Sequence, residues 1–252
     1  MPKAREREEA VPVLIGTAGW AIPATVREAF PQEGTALQRY AEMMECVEIN
    51  SSFHRPHRRS TWERWAESVP EGFRFAAKMP KTISHALRLA NAEAELESFI
   101  GEVTGLGDRL AVLLLQLPPS LTFGQDLTMT FIAQVSSRTD VRLVVEPRHP
   151  SWFEPEADTL LASLEVARVA ADPAKVAAGA VPGGWRGMSY FRLHGSPAVY
   201  RTPYGESRLT HYADLLASEI AAGRPTWCIF DNTASSAALG DALELSRQMV
   251  AL

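Results

Sequence analysis

Short apolar runs alternate along this chain with longer stretches in which apolar residues recur every three or four positions. The runs are Val13–Gly16, Cys46–Asn50, Phe73–Lys78, Ala111–Gln116, Arg142–Glu146, Val166–Ala171, Tyr190–His194 and Thr226–Asp231, and they predict eight strands. Their starts lie about 30 residues apart on average, which is room for a strand, a crossover helix and two loops. The periodic stretches predict helices over Ala36–Met44, Ser60–Ser68, Ala92–Val103, Leu127–Val135, Pro155–Leu164, Ser207–Ala222 and Ser235–Val250. Within the third, Leu96, Phe99, Ile100 and Val103 share one face. Thr35 is placed to cap the first helix, Pro155 suits a first turn, and Gly223 followed by Pro225 stops the seventh. The sixth unit breaks the rhythm. Pro173–Gly187 holds Pro182, Gly183, Gly184 and Gly187, a composition that predicts a loop with at most one helical turn.

Eight strands with seven helices predict an α/β fold, a single (β/α)8 barrel of the TIM type with its sixth helix weak or missing. Such a barrel typically takes about 250 residues, and the chain has 252. A doubly wound sheet would open with a glycine-rich G-x-G-x-x-G turn, whose spacing Gly16-Thr17-Ala18-Gly19 lacks. No linker or low-complexity segment divides the chain. The reading is one domain over residues 11–252, preceded by a disordered, charged tail over 1–10.

Composition narrows the choice of function. A net charge of −5 does not support a broad nucleic-acid surface, which needs an excess of cations facing phosphates. A local basic pocket is compatible with it. Cys46 and Cys228 are far apart and read as buried, reduced thiols. The apolar stretch around Leu110–Leu115 is far too short for a membrane span and the N-terminus has no apolar run, so no membrane association and a cytoplasmic location are expected.

Candidate chemistry emerges from the strand phases. Side chains along a barrel strand alternate between interior and helix layer. That alternation puts Glu48 and Asn50 on one face of the second strand, opposite Val47 and Ile49. Lys78, Gln116 and Glu146 end the inward phases of the third, fourth and fifth strands, and Arg192 and His194 that of the seventh. The eighth ends in Asp231 and Asn232, with an ambiguous phase. Phe75, Leu113, Leu115, Val145 and Leu193 are expected between sheet and helices. Desolvating an unpaired charge costs several kcal/mol, so a polar ring at the C-terminal rim points either to a site or to a self-neutralising ion-pair network. Arg148 and His149 add charge in Pro147-Arg148-His149-Pro150-Ser151-Trp152, where Trp152 is placed to wall a pocket. Two further loops border the rim: Arg55, Arg58 and Arg59 in the second, and Tyr200, Arg201 and Tyr204, a candidate lid, in the seventh. The His54-x-x-His57 spacing is a weak metal signal, and cations at 78, 148 and 192 would repel a metal, so no metal or other cofactor is assigned.

Several motifs together resemble the YecE-like family, a barrel family named as a domain of unknown function. They are Ile15-Gly16-Thr17-Ala18-Gly19-Trp20, Val47-Glu48-Ile49-Asn50-Ser51-Ser52-Phe53, Gly72-Phe73-Arg74-Phe75-Ala76-Ala77-Lys78, Leu115-Gln116-Leu117-Pro118-Pro119-Ser120, Arg148-His149-Pro150-Ser151-Trp152, Tyr190-Phe191-Arg192-Leu193-His194-Gly195 and Phe230-Asp231-Asn232. They span nearly the whole chain in order. The family usually carries an aromatic at position 147, Tyr at 54 and two Asn at 231–232, where this chain has Pro147, His54 and Asp231-Asn232. The resemblance implies a barrel with a rim pocket and no established reaction.

The expectation from these residues is an enzyme of the hydrolase or isomerase type acting on a small anionic or phosphate-bearing ligand. Glu48, Glu146, His149 and His194 are the candidate acid–base groups. Asn50, Lys78, Gln116, Arg148, Trp152, Arg192, Asp231 and Asn232 are the candidate binding residues. Two alternatives stay open: a non-catalytic nucleotide or nucleic-acid binder, and a glycoside hydrolase using Glu48 and Glu146 as its carboxylate pair.

Overall fold

The computed structural model describes residues 11–251; the tail predicted over 1–10 lies outside them. Parallel strands close into a barrel in chain order: β1 (Val13–Ala18), β2 (Cys46–Ile49), β3 (Arg74–Lys78), β4 (Leu110–Gln116) and β5 (Arg142–Glu146), then a sixth strand in two pieces, β6 (Ala167–Arg168) and β7 (Ala170–Asp172). After β8 (Gly183–Gly184) come β9 (Ser189–Leu193) and β10 (Thr226–Phe230), which pairs with β1. The sixth strand changes partner at Val169: β6 bonds to β5 and β7 bonds to β9, so the ring closes through a seam. The eight strands expected from the apolar runs are these, with the sixth divided and β8 an addition.

The α-helices are α1 (Ala36–Ala41), a short α2 (Ser51–His54) at the end of β2, α3 (Arg59–Glu67), α4 (Glu93–Val103), α5 (Gln125–Ser136), α6 (Pro155–Ser163), α7 (Glu206–Ala221) and α8 (Ala238–Val250). Thr35 caps α1 through a reciprocal pair, Gln38 N to Thr35 Oγ1 at 3.3 Å and Thr35 N to Gln38 Oε1 at 2.9 Å. Gly223, at φ +75°, turns the chain out of α7 in a left-handed conformation that a side chain would disfavour.

Two apolar layers follow from strand alternation. Phe75, Leu113, Leu115, Val145 and Leu193 pack between strands and helices, as their phase requires, together with Trp62, Trp152 and Phe131. Inside the barrel lie Cys46, Ala76, Val112, Leu114, Val144, Val169, Tyr190, Trp227 and Ile229. Both cysteines are free and buried, and burial pushes their thiols up. At Gly16 the backbones of β1 and β2 approach so closely that an added Cβ would sit 2.4 Å from the Cys46 carbonyl oxygen.

No helix follows the sixth strand. A 3-10 turn over Ala177–Ala180 and the antiparallel β6–β8 pair cover it instead. The outward Arg168, 2% exposed, ties this patch down: its guanidinium donates to Asp158 of α6 at 2.7 and 3.2 Å and to the Ala178 carbonyl at 2.9 Å. No helix among the described residues is long and apolar enough to cross a membrane.

Candidate functional site

Above the apolar interior, the inward phases of five strands deliver charge to one place at the C-terminal mouth. β9 contributes Arg192, wholly buried. Its Nε donates to Glu48 Oε2 at 3.0 Å, and its Nη2 to Glu48 Oε1 at 2.7 Å and Asp231 Oδ2 at 2.8 Å. Its Nη1 donates to Glu146 Oε2. Three carboxylates from β2, β5 and the end of β10 thus surround one guanidinium. His194, also buried, stands between two of them, with Nε2 3.0 Å from Glu146 Oε1 and Nδ1 3.1 Å from Asp231 Oδ2. Arg148 closes the cluster from the loop after β5, its Nη2 2.5 Å from Glu146 Oε1 and 3.2 Å from His194 Nε2. Tyr190, two residues before Arg192 on the same inward face, donates to Glu48 Oε2 at 2.9 Å.

The electrostatics follow from this packing. Burial alone would raise Glu146, but the guanidinium groups of Arg192 and Arg148 and the His194 ring reverse it and hold the carboxyl well below its usual range. Asp231 is lowered in the same way, against its burial, chiefly by Arg192 and His194. Burial and the hydrogen bond to Glu48 push the Tyr190 phenol up.

Lys78 behaves differently. Only 7% exposed at the end of β3, it makes no ion pair among the described residues. Its ammonium lies 4.2 Å from the centre of the Phe53 ring. Burial first, and then the Arg192 charge, lower it from 10.5 to about 8, against the pull of Glu48, Glu146 and Asp231. Its carbonyl accepts from Ser52 Oγ at 2.7 Å, which ties α2 to β3 and sets Phe53 beside the amine. His85, in the turn after β3, packs edge-on against the same ring at 5.2 Å; burial and the charges of Lys78, Arg148 and Lys81 lower its imidazole.

Other residues singled out from the sequence take different places. Asn50 joins the rim, donating to Asp231 Oδ1 at 3.4 Å while its own buried Oδ1 has no partner. Gln116 stands in register with Glu146, half-buried. Asn232 points outward, because Trp227, Ile229 and Asp231 take the inward phase; it bonds to Asp241 at 2.7 Å and to the Thr202 carbonyl at 3.1 Å, behind the mouth. Trp152 also faces away: it is 2% exposed in the helix layer and donates to the Leu121 carbonyl at 2.9 Å. His149 caps the turn beginning at Pro150 by accepting from Ser151 N at 3.2 Å. Glu48 and Glu146, the carboxylate pair considered for glycoside hydrolysis, are both fully buried and both bond to the Arg192 guanidinium.

The two bordering loops are partly spent on structure. Arg59 bonds to Glu63, Gly101 and Thr104, while Arg55, Arg58 and Arg201 stay exposed. His57 meets Ser51 Oγ at 2.8 Å and packs against Trp62 and Trp65, whereas His54 is exposed, so the pair does not converge. Tyr204 is buried, donating to Asp172 at 2.5 Å; Tyr200 alone of the two tyrosines is exposed, edge-on to His194 at 5.6 Å. Sequence reasoning missed Tyr190, although its phase marks it, and missed Phe53 and His85, which lie in segments without periodic signal. It also missed a groove of about 400 Å³ lined by Phe53, His54, Trp62, Thr82 and Phe99.

A family model described as "Protein of unknown function DUF72" matches residues 14–251. The curated "UPF0759 protein YecE" of Escherichia coli strain K12 is 32% identical over 142 residues, 56% of this chain and 50% of that protein. The chain thus spans about half the length of the curated relatives it matches. Among solved structures, a DUF72 family protein from Enterococcus faecalis V583 superposes with a TM-score of 0.80 at 17% identity, covering 95% of this chain and 96% of that one. Another from Thermotoga maritima MSB8 gives 0.76 at 22% identity, covering 94% and 99%. At these identities the solved structures speak to the fold.

Proposed function

Taking as premise that this chain belongs to the DUF72 family of proteins of unknown function, we propose that its barrel mouth is the active site of an enzyme, of the hydrolase or isomerase type, for a small anionic or phosphate-bearing substrate. One observation carries the reading: cationic groups face the mouth with capacity unused. Arg192 bonds to three carboxylates, and His194 stands between two of them. Among the described residues Lys78 pairs with none, and Arg148 keeps a buried Nε without a partner and a side chain 14% exposed. An anion placed between Lys78 and Arg148 would satisfy both. In this reading Arg192 is a positioning residue, holding Glu48, Glu146 and Asp231 in place. Arg148 and Lys78 bind, with Asn50 and Gln116 alongside. Lys78, lowered to about 8, is the group brought towards neutral pH, while the lowered His85 imidazole is neutral there and able to accept a proton.

The test is chemical denaturation with and without inorganic phosphate at constant ionic strength. A ligand at a hundredfold its Kd adds about 2.7 kcal/mol of stability. Phosphate should stabilise the parent protein, and Arg148→Gln should lose that gain while folding normally. Equal stability of the parent with and without phosphate would overturn the anion site.

A further inference from the structure

The barrel mouth contains a lysine in a chain that scarcely uses lysine. Of its 25 cationic Lys and Arg side chains only four are Lys: Lys3, Lys78, Lys81 and Lys175. Where this molecule needs a lasting positive charge against carboxylates, as at positions 148, 168 and 192, it uses Arg. Arg offers a permanent charge and a planar fork; Lys alone offers an amine that can lose its proton and attack carbon. Position 78 joins that residue type to a specific setting. The amine is almost wholly desolvated, has no carboxylate partner among the described residues, and rests on the face of Phe53. The Arg192 charge acts on it, His85 packs against the same Phe53 ring and feels both Lys78 and Arg148, and Glu48, Glu146 and Asp231 bond to the guanidinium groups.

We infer that Lys78 is a nucleophilic amine that forms an imine with the carbonyl carbon of an aldehyde or ketone whose anionic group rests on Arg148. This rests on the anion-site reading above and narrows the substrate to anionic carbonyl compounds. The neutral amine adds its lone pair to the carbonyl carbon, forming the C–N bond while the C=O π pair moves to oxygen. A proton passes from the new ammonium to that oxygen, giving a carbinolamine. A second protonation of that oxygen, by solvent at the mouth, lets water leave with the C–O pair while the nitrogen lone pair closes the C=N bond, and the iminium remains. Hydrolysis reverses each step, and no oxidant or reductant is consumed. A value lowered to about 8 leaves roughly half of the amine neutral at pH 8, where an ordinary lysine near 10.4 is almost wholly charged.

Pyridoxal 5′-phosphate, an aldehyde carrying a phosphate, is the probe, with borohydride added to reduce any imine to a stable secondary amine. Labelled sites are read by peptide mass spectrometry at pH 8. Lys78 should label at least about tenfold faster than the exposed Lys81 and Lys175, given the difference in neutral fraction. Lys78→Met should lose that label while its denaturation midpoint stays at or above the parent's. Lys78 labelling no faster than the two exposed lysines would overturn the inference, even with phosphate stabilisation intact. Rapid labelling of Lys78 by pyridoxal and its phosphate alike, unchanged in Arg148→Gln, would uphold the imine and remove the anion site.

Discussion

Arg192 and Lys78 share one barrel mouth and should respond oppositely to mutation. Arg192 is the hub of a dry network, so Arg192→Met strands Glu48, Glu146 and Asp231 without their main counter-charge. Removing one member of a buried ion pair costs about 3–5 kcal/mol, and that loss is expected in urea melts at pH 7. A cost near zero would mean the cluster is wet and the carboxylates find water instead. Lys78 sits where its charged form is disfavoured, so Lys78→Met should be neutral or stabilising at pH 7. Its pH dependence has a definite sign. The folded amine, at about 8, binds fewer protons than the unfolded one, near 10.5, between those two values. Stability contributed by this group therefore rises with pH from about 8 towards 10. The parent should gain on Lys78→Met across that window, and parallel profiles would show an amine with an ordinary affinity for its proton.

The same reasoning applies to whole strands, where alternation carried most of the legible information. Val47 and Ile49 against Glu48, or Phe75 and Ala77 against Lys78, reveal their phase because polar and apolar residues take turns. Leu115→Ala should therefore cost roughly 2–5 kcal/mol in chemical denaturation, as for other buried leucines, because Leu115 is 3% exposed between β4 and the helix layer. A loss under about 0.5 kcal/mol would contradict its placement there. β10 was opaque for the converse reason. Trp227, Cys228, Ile229 and Phe230 are all apolar, as expected of a strand buried on both faces, so no alternation told Asp231 from Asn232. The sixth strand was legible as a run but not as a seam, because the partner change at Val169 is set by β5 and β9 rather than by its own residues. The loop after it was legible through Pro182 and its glycines, whereas the Arg168 clamp on Asp158 was not: two residues ten apart in sequence gave no sign that they would meet. Phe53 and His85 lie where no period exists to read.

At the scale of the molecule, a chain with net charge −5 is expected to confine its affinity for anions to the mouth. Binding of phosphate should weaken only gently with salt, in keeping with one or two charges neutralised, and short single-stranded DNA should bind no more tightly than phosphate does. Each DNA phosphate neutralised would add roughly 0.7 to the logarithmic salt slope, so a slope of several units would instead reveal a track through Arg55, Arg58 and Arg201. The ring of charge around Arg192 has one further consequence. Its carboxylates, guanidinium and imidazole are mutually bonded and shielded from water, so they are oriented before any substrate arrives. In water, moving a charge obliges the surrounding dipoles to turn, and that reorganisation is much of what makes such steps slow. Here the polar surroundings have been set during folding and have little freedom left to turn. The mouth of the barrel is in this respect a solid electrolyte: charge displaced beside Lys78 would meet a field of fixed direction and a medium with almost no polarisation left to rearrange.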